Sequence, residues 1–163
     1  MCPFAPHLAA ALETSVRPEA LGSVPGHPGQ RDAVLALPAE ASRVRLVRQF
    51  TAAVVGHWEV SQDEREAAVL IADELAANAA QHGRGEMTLS LTRHTDTLHI
   101  EVSDHGEPCV PDPRCADPDE HGRGIAIVEV LATRVEVQQD ACGCRVRAVL
   151  GVTAQPRREL RAG

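Results

Sequence analysis

One long apolar helix is predicted near the middle of the chain, and three polar residues interrupt it at regular spacing. The segments 67–72 and 75–77 contain only Ala, Val, Leu and Ile, which favours a buried helix. Glu74, Asn78 and His82 follow at four-residue steps and so lie on one side of it. An unpaired buried amide costs on the order of 1–3 kcal/mol. The triplet therefore indicates either a solvated helix edge or a site for a ligand with oxygens and a hard cation.

Size and charge restrict the class of protein. The 163 residues suit one domain with a sizeable core. A net charge of −7 argues against nucleic acid as the main partner, because binding a phosphate backbone needs a concentrated positive surface. No apolar run approaches the ~20 residues that span a bilayer, and residues 1–30 show no secretory signal. We expect a cytoplasmic protein that binds neither nucleic acid nor membrane.

The five cysteines give little indication of a metal. An odd number in a cytoplasmic chain indicates free thiols. Neither Cys109-x5-Cys115 nor Cys142-Gly-Cys144 has the common zinc-ligand spacing. Incidental thiols near a turn and a loop are therefore favoured over a metal or redox site.

The first part of the chain predicts one strand and two helices. Residues 33–37 form the strand, and apolar residues at three- and four-residue steps predict an amphipathic helix over 40–58. Ser61 is a good N-cap with Glu64 three residues on, which predicts that a capping box opens the second helix. That helix carries the polar triplet and ends at Gly83.

The second part predicts two hairpins separated by a long loop and a third helix. Alternating apolar and polar residues predict the strands. The four strands cover residues 87–92, 98–102, 135–137 and 145–150. Residues 104–124 form a proline-rich loop long enough to be a functional lid, and residues 125–131 form the helix.

Hairpins mixed with helices indicate an α+β fold. We expect a two-layer α/β sandwich whose mixed, mostly antiparallel sheet is covered on one face by three helices. The domain is predicted over 32–152, between a flexible leader over 1–31 and a disordered tail over 153–163.

Two further motifs flank the lid loop. Asp104 stands at a strand end two residues before Gly106, a position that is also typical of a simple turn. Gly122 and Gly124 precede the third helix, whose free N–H groups would attract an anion, although Gly-x-Gly alone fits a plain turn equally well. The chain has no Walker A motif, so a P-loop is excluded.

Taken in order, these motifs resemble the ATP-binding domain of the gyrase, Hsp90, histidine kinase and MutL superfamily. The match comprises an N-box at Glu74-x3-Asn78 with His82-Gly83, a first glycine box at Asp104-x-Gly106 and a second glycine box at Gly122-x-Gly124. It covers roughly residues 33–151. The short single-domain form looks most like the bacterial anti-sigma factor serine/threonine kinases, which implies the Bergerat-type fold.

The resemblance implies a role for each motif. Asn78 would ligate Mg²⁺ through its side-chain oxygen, and Asp104 would accept a hydrogen bond from the amino group of adenine. Gly106 would let the backbone pass close to the base. Glu74 would be the general base that deprotonates a serine of a partner protein.

The lid residues and the end of the N-box helix leave alternatives open. By resemblance, Gly122 and Gly124 would let the lid close on the phosphates of ATP. Arg123 either adds a cation there or is a solvated lid residue. His82 is a candidate nucleotide contact, although a structural role at the helix end is the simpler interpretation.

The resemblance also implies partners: a sigma factor, a STAS-type anti-sigma factor antagonist and a second copy of the chain. One departure matters, because the family's Lys and Thr on the closing strand are absent from residues 143–150. Arg145 or Arg147 either replaces the positive charge or faces solvent. Two functions follow: a serine/threonine kinase that phosphorylates the antagonist, or a non-catalytic ATP-dependent binding switch.

Overall fold

The computed structural model describes residues 30–82, 85–105, 118–140 and 143–153, with the backbone alone at His82, 118–123 and Asp140. Most of the predicted leader, the tail after Thr153 and most of the lid loop lie outside these ranges. So do two glycines of the predicted motifs, Gly83 and Gly106, and four of the cysteines, namely Cys2, Cys109, Cys115 and Cys142.

Five strands and three α-helices follow one another in the predicted order. They are β1 (Arg31–Pro38), α1 (Val44–His57), α2 (Gln62–His82), β2 (Glu86–Arg93), β3 (Thr97–Asp104), α3 (Pro118–Leu131), β4 (Arg134–Asp140) and β5 (Gly143–Gly151). A 3-10 turn over Ala41–Arg43 precedes α1, so the first α-helix begins four residues later than predicted.

The sheet has the order β1-β2-β3-β5-β4, and each of these pairings is antiparallel. Both predicted hairpins, β2–β3 and β4–β5, are present. The α+β fold class is confirmed, although the described sheet is wholly antiparallel where a mixed one was expected. β1 and β4 form its two edges.

The core lies between one face of the sheet and the helices. Alternate residues of β2 and β3 are buried on that face, as the alternating sequence pattern predicts. α2 packs across β2, β3 and β5, with α1 and α3 on its two sides. Ile71 and Leu75 of α2 are almost fully buried, and burial of each side chain contributes about 1.5–3 kcal/mol. α2 is therefore the central helix of the helical layer.

The predicted capping box opens α2. The backbone N–H of Ser61 donates to Glu64 Oε2 at 2.8 Å, and the N–H of Glu64 donates to Ser61 Oγ at 3.2 Å. Glu64 Oε1 also accepts hydrogen bonds from the N–H and the hydroxyl of Thr153, at 2.6 and 2.7 Å. Glu64 thus fastens the start of the central helix to the chain that leaves β5.

No helix within the part of the chain that the structure describes is long and apolar enough to cross a membrane.

Candidate functional site

The second half of α2 carries two polar residues at the border of the core. Glu74 and Asn78 lie one turn apart and are half-buried, while Leu75, Ala76 and Ala79 beside them are buried. This spacing places both side chains on one side of the helix, as predicted. α2 reaches His82, which closes the helix at the predicted position.

The structure brings Glu74 against α3. A Cβ added to Gly124 would lie 2.8 Å from Glu74 Oε2, closer than real Cβ atoms come to other groups. Because residue 124 has no side chain, the backbone of α3 can pack closely against the carboxylate of Glu74. The N-box and the second glycine box, which lie 50 residues apart in sequence, are neighbours in the fold.

The start of α3 differs from the prediction. The helix begins at Pro118, seven residues before the predicted Ile125, so Gly122–Gly124 lie within the helix. Proline is favoured at the first helical position, and the two acidic residues that follow it in sequence are of the type favoured in a first turn. The prediction that Gly122 and Gly124 precede the helix N-terminus is therefore wrong. The observed role of Gly124 is close packing against Glu74.

An ion pair ties α2 to α1 beside the same turn. Arg48 donates from Nε to Asp73 Oδ1 at 3.1 Å and from Nη2 to Oδ2 at 2.6 Å. The hydrogen bond and the charge of Asp73 raise the pKa of Arg48 above its ordinary value, with a further contribution from Glu74. The sequence analysis missed this pair, because which helix faces Asp73 depends on tertiary packing.

Asp104, predicted to lie just past the strand, is the last residue of β3 and lies opposite Cys144 of β5. The register puts both on the face of the sheet that carries the helices, because Val102 and Val146 on that face are buried. Gly143 has a φ of +150°, and a Cβ there would overlap the backbone oxygen of Asp104. Glycine at 143 therefore lets the β4–β5 turn close over the end of β3.

A cavity of about 170 Å³ opens at this end of the sheet, lined by residues of β3, β4 and β5 that include Asp104, Gly143 and Cys144. This volume is smaller than the roughly 300–1,000 Å³ typical of ligand pockets. Residues 106–117 and 141–142 adjoin it in sequence and lie outside the described ranges.

The two arginines of β5 lie on the other face of the sheet. Arg147 Nη2 and Arg145 Nε lie 2.7 and 3.4 Å from the two carboxylate oxygens of Glu101. Ile100 precedes Glu101 in β3, Val146 lies between the two arginines in β5, and both are buried towards the helices. Because side chains alternate along a strand, the arginines point away from α2. Of the two predicted alternatives, the structure supports the one in which Arg145 and Arg147 face solvent.

The oxygen donors suit magnesium. Among the described residues, no group of three or more His, Cys, Asp or Glu side chains could enclose a metal. Mg²⁺ does not need such a group, since one or two protein oxygens suffice when phosphates and waters complete its octahedron. The amide oxygen of Asn78 and the carboxylate of Glu74, one turn apart on α2, are oxygen donors of the kind this requirement calls for.

Comparison of the sequence with known proteins identifies its family. The sequence profile of the histidine kinase-like ATPase domain matches residues 37–150. The serine-protein kinase RsbW of Bacillus velezensis is 25% identical over 122 residues, which are 64% of this chain and 76% of that protein.

The fold also matches a solved structure, that of the RsbU and RsbW domains of Rv1364c from Mycobacterium tuberculosis. The TM-score is 0.58 at 15% sequence identity, over 77% of this chain and 34% of the other. This chain thus spans about a third of that structure, and the likeness concerns the fold. Because the family profile covers well over half of its length, the chain belongs to the histidine kinase-like ATPase domain family, an assignment that confirms the resemblance drawn from the N-box and the glycine boxes.

Proposed function

We propose that this chain is a Mg²⁺-dependent, ATP-binding protein serine/threonine kinase of the anti-sigma factor type. Its substrate would be a serine of a STAS-type anti-sigma factor antagonist. One observation carries the proposal: Glu74 and Asn78 lie one turn apart on α2, and Gly124 of α3 closes against the carboxylate of Glu74. The assignment to the histidine kinase-like ATPase domain family supports ATP as the nucleotide.

The nucleotide would be held by residues of both glycine boxes and the N-box. Asn78 would hold Mg²⁺, and Asp104 at the end of β3 would accept a hydrogen bond from the adenine amino group. ATP supplies the γ-phosphoryl group. Gly106, Gly122, Arg123 and His82 are further contacts that the resemblance implies. The functional domain in this proposal is residues 32–152.

Glu74 acts as the general base. It lies one helical turn before Asn78 on α2, and a positioned carboxylate can take the proton of a serine hydroxyl as the phosphoryl group is transferred. A protein that only held nucleotide would have no evident use for a carboxylate at this position. Consistent with this, the relative from Bacillus velezensis is named a serine-protein kinase.

The partners would be a sigma factor and its antagonist, and the chain would act as a homodimer. Sigma factors act in the cytoplasm, so the proposal places the chain there as well. The chain would contact the sigma factor and the antagonist through surfaces near α1 and the lid.

One observation favours a second function, an ATP-dependent binding switch without catalysis. Arg145 and Arg147 are paired with Glu101 on the face away from α2. β5 therefore brings no cation to the face where the nucleotide would lie. In this alternative, the nucleotide only shifts the population of a conformation that binds a partner.

Phosphoryl transfer from labelled ATP to a candidate antagonist protein separates the two functions. The kinase proposal predicts that Glu74→Ala lowers the transfer rate roughly 10²–10⁴-fold. Glu66→Ala is the matched control, because Glu66 is an exposed carboxylate two turns earlier on α2, and it should leave the rate unchanged. If ATP binds but no phosphoryl group is transferred, or if Glu74→Ala leaves the rate unchanged, the kinase proposal is wrong and the binding switch is favoured.

A further inference from the structure

The outer face of the sheet, which points away from the helices, carries a row of polar side chains near one end. Ser103 of β3, Arg145 of β5 and Gln138 of β4 are partners in register across three neighbouring strands. Facing residues of an antiparallel pair have Cβ atoms about 4.5–5.5 Å apart. Val102 and Val146, next to this row in sequence, are buried towards the helices, so the row itself lies on the outer face. A hydroxyl, a guanidinium and a carboxamide are therefore neighbours there.

The three residues of this row line the cavity of about 170 Å³ at the end of the sheet, together with His105 and Gly143. Asp104 and Cys144 also border the cavity, but their register places their side chains on the helix side. A water molecule occupies about 30 Å³ in the liquid. The cavity thus has room for several waters or for one small ion, and it is too small for a nucleotide.

The charges on the outer face leave one arginine incompletely compensated. Arg147 binds Glu101 closely, because its Nε and Nη2 lie 2.8 and 2.7 Å from Oε2. Arg134 Nη2 lies 2.6 Å from Glu136 Oε1. Arg145 Nε lies 3.4 Å from Glu101 Oε1, beyond the roughly 2.7–3.2 Å of an ordinary hydrogen bond, and 54% of the arginine side chain is exposed. Among the described side chains of β3, β4 and β5 on this face, the excess positive charge therefore lies at the cavity.

The polar groups at the cavity suit an anion with oxygen atoms. The guanidinium of Arg145 can only donate hydrogen bonds, and the hydroxyl of Ser103 and the carboxamide of Gln138 can also donate. The planar fork of an arginine matches two oxygens of one carboxylate or phosphate group. A single excess positive charge beside neutral donors favours such an ion over a cation or an apolar ligand.

We propose that this cavity binds a small oxyanion, a phosphate ion or a carboxylate, through Arg145, with Ser103 and Gln138 as further donors. α2, which carries Glu74 and Asn78, packs on the other face of the sheet, so the site is separate from the proposed nucleotide site. The inference goes beyond the proposed function and rests on neither nucleotide binding nor catalysis.

NMR of the isotope-labelled full chain tests the site through the backbone N–H signals of Ser103 and Gln138. Sodium phosphate and sodium acetate are the two probes, and sodium chloride keeps the ionic strength constant. At least one probe should shift both signals until they saturate. A response to phosphate alone identifies a phosphate site, and a response to acetate identifies a site that also accepts carboxylates. If neither probe gives a saturating shift, the proposal is wrong.

Two arginine variants separate a built site from general attraction between charges. Arg145→Gln should raise the dissociation constant of the bound probe about tenfold or more, because its charge-assisted hydrogen bonds are lost. Arg45→Gln is the matched control, since it removes the same charge from an exposed position on α1, and it should bind like the wild type. An unchanged dissociation constant in Arg145→Gln, or equal weakening in both variants, would overturn the proposal.

Asn78→Ala separates this site from the proposed nucleotide site, which a phosphate ion can also enter. Because Asn78 lies on α2, across the sheet from the cavity, the variant should keep the dissociation constant of the probe and the shifts of Ser103 and Gln138. Loss of these shifts in Asn78→Ala would assign the ion to the nucleotide site and refute a separate one. Failure of the chain to bind ATP would leave this inference intact.

Discussion

Gly124 owes its importance to the side chain it touches. In α3 it is a helix-interior glycine, which ordinarily costs about 1 kcal/mol relative to alanine. Its benefit is the approach to Glu74, where a Cβ would come within 2.8 Å of a carboxylate oxygen. Because that oxygen is the end of a flexible side chain, the conflict can be relieved by moving Glu74.

Gly124→Ala should therefore separate stability from activity. We expect the free energy of unfolding, measured in urea, to stay unchanged or to rise by up to about 1 kcal/mol, because alanine favours the helix. The displaced Glu74 should lower the rate of phosphoryl transfer. Gly56→Ala in α1 is the control, because its Cβ would likewise meet a flexible side-chain end, Arg65 Nη2 at 2.8 Å. An unchanged transfer rate in Gly124→Ala would show that the contact does not position the base.

Gly143 represents the opposite case, a glycine that meets backbone. Its φ of +150° and the oxygen of Asp104 leave no room for a side chain. We expect Gly143→Ala to lower the free energy of unfolding by about 2–4 kcal/mol. Gly151→Ala is the control, since its Cβ would lie 3.7 Å from Thr133, an ordinary contact. Equal urea midpoints for the two variants would contradict this explanation.

At the scale of elements, α2 is tied to three other parts of the fold. Its first turn is fastened to Thr153 through Glu64, its middle is tied to α1 through Arg48 and Asp73, and Glu74 contacts α3. Burial tends to raise the pKa of Glu64, but hydrogen bonds from Thr153 and Ser61 outweigh it and lower that pKa below its ordinary 4.5. The ionised form is thus favoured by the fold.

Glu64→Gln should make stability less dependent on pH. A lowered pKa contributes stability that is fully present above the unfolded-state value and is lost as the pH falls through the folded-state value. At pH 7 the variant should be about 1 kcal/mol less stable, since charge-assisted bonds are lost. The difference should shrink below about pH 4.5. Urea unfolding at several pH values measures it, with Asp63→Asn as an exposed control in the same turn. A difference that persists at low pH would refute the assignment.

Most helices and strands could be predicted from the sequence because the residues that indicate each of them are close together in the chain. The capping box of Ser61 and Glu64, the alternation in β2 and β3, and the strand end at Asp104 depend on residues close together in the chain. The start of α3 was missed because two glycines suggested a break, whereas Pro118 begins the helix. Contacts between elements, such as Arg48 with Asp73, require the packing of α1 on α2, which no local pattern specifies.

At the scale of the whole molecule, the fold packs the elements that carry the motifs around one central helix. The three motifs lie in α2, at the end of β3 and in α3, and α2 packs against both of the other elements. A family defined by an ATPase domain and a helix that carries Glu74 and Asn78 together support Mg²⁺-dependent binding of an adenine nucleotide. That binding is the central claim, because both candidate functions depend on it.

Titration calorimetry of the full chain with ATP, with and without Mg²⁺, tests this claim most directly. The account predicts Mg²⁺-dependent binding in the wild type, loss of the Mg²⁺ dependence in Asn78→Ala, and loss of selectivity for ATP over GTP in Asp104→Ala. Glu66→Ala, on the same helix, should bind like the wild type. No measurable heat at millimolar ATP, or binding that neither Asn78→Ala nor Asp104→Ala alters, would contradict it.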